Sequence, residues 1–166
     1  MKPYTPDFSL KVEGVNGVCP AGELWAKDQI AKRTTPVFSC EGPCIRGDIA
    51  RLAANYITKD VPTLARACHA ETFFVPHSSM LSWIKGADKT VVIDGCFLKC
   101  HGRVLKELVG DEHMIHIDAL PLYKRYIDIF LMDDVPEDER KAVARQVADK
   151  IIAKLKKEGV LTAIAA

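Results

Sequence analysis

No run in the 166-residue sequence approaches the roughly 20 apolar residues that a membrane-spanning helix needs. Its first ten residues, MKPYTPDFSL, lack the apolar core of a secretory signal. These two absences lead to the expectation of a cytoplasmic chain with no membrane partner. Charge of one sign is also lacking: 23 Lys and Arg stand against 22 Asp and Glu, a net charge of +1. That balance argues against a nucleic-acid partner, which would call for a basic surplus or stripe. The one dense basic run, Lys154 to Lys157, ends an expected helix, where cations belong anyway. No G-x-G-x-x-G and no G-x-x-x-x-G-K-[ST] occurs, so nothing points to a nucleotide, and no internal repeat or low-complexity tract is present. What remains is an ordinary globular composition, 48% hydrophobic and 27% charged, in a chain long enough for one domain with its own core.

Cysteine is what the sequence does have: six, at positions 19, 40, 44, 68, 96 and 100. In a reducing cytosol such thiols read as metal ligands or redox groups rather than as disulfides. A chain of this length has no need of disulfide staples.

The pattern along the chain places them. Phe8 to Val18, with turn signals at Gly14 and Asn16-Gly17, suggests a short strand or hairpin, and Glu23 to Lys32 a short helix. From Pro36 onward, strands and helices alternate. Strands are expected at Val37 to Ser39, Thr63 to Ala67, Thr90 to Asp94 and Met114 to Asp118. Helices are expected at Ile45 to Thr58, Ser78 to Lys85 (closed by Gly86) and Phe97 to Val109 (ending at Gly110). A last helix has Asp134 as its cap, Pro136 in its first turn, and Val143, Val147, Ile151 and Leu155 as its core stripe. Residues 119–134 resist assignment. Alternation of this kind implies parallel β-α-β units, hence a three-layer, Rossmann-like α/β domain with a mainly parallel sheet. We read the chain as a single domain: an N-terminal extension over 1–35, a cysteine-bearing core over 36–118, and a C-terminal loop and helix over 119–166.

In such sheets ligands bind beyond the carboxyl ends of the strands. Cys40 follows the first core strand, Cys68 the second and Cys96 the third, with Cys100 expected one helical turn later and Cys44 close to Cys40. Neighbouring strands would bring these thiols into one crevice. Helix N-termini favour the thiolate, the form that binds metal. Four thiolates suit a closed Zn²⁺ site or the cradle of an iron–sulfur cluster. Asp94-Gly95 reads as the turn that lets the chain leave the strand. Cys19, before Pro20 and outside the alternating core, reads as a small buried hydrophobe. His69 and His101 each directly follow a cysteine; either can ligate or support a ligand, and both read first as polar neighbours at the crevice mouth. His116 and Asp118 share a strand face and read as polar surface.

The stretch IDGC, Ile93 to Cys96, with Cys100 following, resembles the central motif of the DGC-domain family, named for Asp-Gly-Cys. SCEG, Ser39 to Gly42, with Gly47 further on, resembles that family's earlier Cys-x-Gly motif, and Cys68 falls where the family has its intervening cysteine. The likeness covers about Val37 to Asp118. It implies zinc binding through Cys40, Cys68, Cys96 and Cys100, and it carries no established activity. Cys44 departs from the family's commoner pattern. It can replace one of the four, join them, or be a reactive thiol.

Two other readings stay open. Cys40 to Arg46, CEGPCIR, is C-x5-R, which resembles the small cysteine phosphatases and arsenate reductases, with Cys40 as nucleophile and Arg46 clamping the oxyanion. Against it, Ile45 separates Cys44 from Arg46, Gly47 stands where a Ser or Thr would activate the thiol, and the chain has no Asp-Pro general acid. Arg46 also reads simply as a solvated helix residue paired with Asp48 or Glu41. The second reading is redox: Cys96 and Cys100, or Cys40 and Cys44, forming a reversible disulfide.

Overall fold

Alternation along the strands decides the layering. In the computed structural model, which describes residues 6–161, strand β1 (Thr35–Ser39) is buried along its whole length. Val37 joins one hydrophobic core and the next residue, Phe38, joins another. Strand β3 (Thr90–Asp94) repeats this, with Val91 and Ile93 in the first core and Val92 in the second. A strand buried on both faces must be covered on both faces, so the sheet lies between two helical layers.

Strands β2 (Leu64–Arg66) and β4 (Met114–Asp118) complete a four-stranded sheet of order β2-β1-β3-β4, parallel throughout. On one side, α2 (Ile45–Asp60) and α7 (Glu137–Lys157) supply Ile49, Ala53, Ile57, Val143, Val147 and Ile151 to the first core. On the other, α1 (Pro20–Lys32), α4 (Ser79–Gly86) and α5 (Cys100–Val109) supply Ala26, Trp83 and Leu105 to the second. Short helices α3 (His69–Phe74) and α6 (Leu120–Tyr123) follow β2 and β4. The expected three-layer α/β architecture is therefore present. Pro36 sits inside β1 at no cost to the ladder, because pairing with β3 begins one residue later, at Val37 opposite Val91.

Three element expectations need correction. Residues 8–18 form neither strand nor hairpin: they are irregular, with Phe8 and Leu10 exposed, and no ladder partner is found for them among the described residues. Helix α5 starts at Cys100 rather than Phe97, because Lys99 adopts a left-handed conformation (φ 50, ψ 44) that a continuous helix cannot contain. Helix α7 starts at Glu137. Pro136 is its N-cap, and Asp134 stands outside it in a single 3-10 turn that makes no side-chain cap. Among the described residues, no helix is long and apolar enough to cross a membrane.

Candidate thiol centre

The strand order has a switch point. From β1 the chain crosses to one side of the sheet, and from β3 it crosses to the other, so a crevice opens between the carboxyl ends of β1 and β3. The β1–α2 segment carries Cys40 and Cys44 to this crevice, and the β3–α5 segment carries Asp94, Cys96, Cys100 and His101. The two meet directly, for the Cys40 N–H donates to the Ile93 carbonyl at 2.8 Å.

Cys44 is the N-cap of α2, its sulfur accepting from the Gly47 N–H at 3.4 Å. Gly42 lies between the two thiols. A Cβ on it would stand 3.6 Å from the Cys40 sulfur and 3.9 Å from the Cys44 sulfur. Gly47 must lack a side chain, since a Cβ there would meet the Gly42 carbonyl oxygen at 2.3 Å. Gly95 is under the same constraint: its Cβ would lie 2.6 Å from the Arg46 carbonyl oxygen and 3.0 Å from the Gly47 nitrogen. The loop after β3 is thus pressed, backbone on backbone, against the first turn of α2. Close approach is what requires glycine at 95, because its φ is not positive.

Three histidines join this centre, and the role of His116 is the one the sequence reading missed. Burial pushes the Cys40 thiol up, but His101 and the backbone N–H groups of Gly42 and Gly95 outweigh it, and its pKa falls below the ordinary thiol value. Asp94 first, then Cys40, raise His101 to about 9. The His101 Nδ1 stands 3.6 Å from Asp94 Oδ1, an ion-pair distance too long for a full hydrogen bond. Asp94, only 1% exposed, accepts from the His101 N–H at 3.1 Å, the Gly102 N–H at 2.9 Å and His116 Nε2 at 3.0 Å. Although its burial works against the charge, these donors hold its pKa well below the usual carboxylate range. His116, expected as polar surface, therefore points at a buried carboxylate.

His69 donates from Nε2 to the Ser39 carbonyl at 2.8 Å, so Nε2 carries the proton. Its ring meets the His101 ring edge-on at 4.8 Å. Burial, with His101 nearby, pushes its pKa down to about 4. This ring contact draws the start of α3, with Cys68 as N-cap, toward the start of α5, with Cys100 as first residue. Only the pairing of each histidine with a preceding cysteine hinted at this from the sequence.

The remaining candidates are placed as follows. Cys68 and Cys100 are exposed, Cys96 is half-buried in the turn before α5, and Cys19 is exposed, capping α1 through its sulfur. Cys19 is therefore not the buried hydrophobe expected. Cys96 and Cys100 do not sit across a helical turn, since the helix begins only at Cys100. Arg46 donates from its guanidinium to the Ile127 carbonyl, and its Nε is buried without a partner. It pairs with neither expected carboxylate: Asp48 bonds Arg51 and Arg140, and Glu41 bonds Arg66. The buried Tyr123 hydroxyl, also unpartnered, feels the charges of Arg46, Cys44, Asp118 and Cys96, and burial raises its pKa. A cavity of about 570 Å³, lined among others by Thr35, Trp83 and Lys89, opens at the opposite, amino edge of the sheet and contains no thiol.

The donor set is chemically suited to a thiophilic ion: all the cysteines are free, and five of the six lie at one sheet edge. It is not assembled, however. Among the described residues, no three His, Cys, Asp or Glu side chains stand close enough to hold one metal ion.

Fold and site together define a doubly wound α/β domain with a thiol-rich centre at its switch point. The DGC-domain family model matches residues 36–147, two thirds of the chain, and the chain belongs to that family. No curated protein and no solved structure matches it.

Proposed function

We propose that the carboxyl edge of the sheet binds one Zn²⁺ through Cys40, Cys68, Cys96 and Cys100, with Cys44 able to stand in for one of them. What supports this reading is that free thiols follow three strand ends at one edge of the sheet, with the pKa of Cys40 lowered beside His101. Bound zinc would act as a four-thiolate structural centre. Backbone contacts at Gly47 and Gly95 bring the segments bearing Cys40, Cys44 and Cys96 together, whereas Cys68 and Cys100 are exposed at two helix starts. An iron–sulfur cluster takes the same donors. The phosphatase reading needs Arg46 beside the Cys40 sulfur, and the partner found for its guanidinium is the Ile127 carbonyl instead.

Metal analysis of protein purified without oxygen tests this. Stoichiometric zinc in a colourless protein is the expected result. A brown protein with iron and sulfide moves the reading to a cluster, and metal-free protein with titratable thiols overturns both. Cys96→Ser is expected to lower metal content and thermal stability together, because metal binding is coupled to folding.

A further inference from the structure

Two thiols of the centre, Cys40 and Cys44, face one gap in the chain at Gly42. Both sulfurs lie within 4 Å of one point, the place where a Cβ on Gly42 would sit. Nothing bulkier than hydrogen fills that point. The two thiols differ in surroundings. The Cys44 sulfur is engaged as the cap of α2, accepting from the Gly47 N–H at 3.4 Å, whereas the Cys40 sulfur lies before the helix, on the other side of Gly42. Both are half-buried, open enough for a small reactant.

From this geometry we propose that Cys40 and Cys44 are a thiol–disulfide exchange pair acting on a low-molecular-weight disulfide, with Cys40 the attacking sulfur and Cys44 the resolving one. The Cys40 sulfur attacks one sulfur of the reactant. The reactant's S–S bond breaks, a mixed disulfide forms on Cys40, and the other half leaves as a thiolate that takes up a proton. Cys44 then loses its proton and attacks the Cys40 sulfur. The Cys40–Cys44 bond forms, and the second half leaves as a thiol carrying that proton. The protein is oxidised by two electrons, and the reactant is reduced to two thiols. Gly42 allows the closure, because the space between the sulfurs is left empty. This activity does not rest on the zinc reading, and bound zinc would suppress it by occupying Cys40.

The test uses the full chain, reduced and stripped of metal, incubated with oxidised glutathione. Thiols are then blocked in acid and the bonds mapped by peptide mass spectrometry. The expected product is a Cys40–Cys44 disulfide with both halves of glutathione released. Cys44→Ser should stop at a glutathione adduct on Cys40. Cys44→Ala should do the same, which guards against a folding fault in either variant. Cys40→Ser should lose both the adduct and the bond. A bond at Cys96–Cys100 instead, an adduct on another cysteine in Cys44→Ser, or no internal bond at any glutathione ratio would overturn the proposal. A protein that takes no zinc yet forms this bond sinks the zinc reading and leaves this one standing. A protein that takes zinc yet forms no bond when stripped does the reverse.

Discussion

Asp94 illustrates how much one residue settles here. A buried carboxylate is costly unless its oxygens are filled, and two backbone N–H groups and His116 fill them. The same oxygens cap the start of α5 and face His101, so the helix that carries Cys100 and the imidazole beside Cys40 share one anchor. At this scale two predictions follow from charge. Cys40, with its pKa below the ordinary value, should be alkylated by iodoacetamide at pH 7 ahead of the other five cysteines in metal-free protein, and His101→Ala should remove that lead. Peptide mapping over a time course reads it; uniform labelling would contradict it. His69 gives the pH dependence. Its pKa falls from 6.5 to about 4 on folding, so the unfolded chain binds the extra proton between those values. Its contribution is complete above 6.5 and is lost as pH falls toward 4. The Tm of the metal-free protein should fall across that window, and His69→Asn, which does not titrate, should flatten the fall. An unchanged slope in the variant would rule the assignment out.

Among the elements, the loop after β3 governs the site. Its position is set by the contact of Gly95 with the backbone of Arg46 and Gly47. Gly95→Ala therefore forces two backbone segments apart. It should cost about 1–3 kcal/mol, as overpacking does, read as a shift in urea midpoint with an unchanged slope. The strand ends were legible in the sequence because β-branched runs such as Thr90 to Asp94 have no other good reading, and the cysteines could be placed from them. The role of Gly95 was not: Asp-Gly reads as a turn, and only the sheet order brings α2 against it. The start of α5 was missed because nothing about Lys99 announces a left-handed residue. His116 was missed because its partner, Asp94, lies on a neighbouring strand 22 residues away.

Taken as a whole, the molecule ties its C-terminal helix to the centre through charge. Arg140 on α7 bonds the buried Asp48 on α2 at 2.7 Å, one turn from Cys44, while Arg51 holds the other oxygen. Arg140→Ala should leave that carboxylate half-satisfied and cost on the order of 1–3 kcal/mol in chemical denaturation; no loss would show that Arg51 suffices. The family match reaches residue 147, well past the expected core boundary of 118, and the structure supplies the reason: Val143 and Val147 of α7 pack in the same core as α2. The backbone contact of Gly95 reaches further than stability. It holds the backbone of the segment bearing Cys40 and Cys44 against that of the segment bearing Cys96, so those thiols are presented from one joined edge. Cys68 and Cys100, exposed at the starts of two other helices, lie outside that contact. An incoming ion or reactant would therefore meet one joined pair of segments and two separate helix starts.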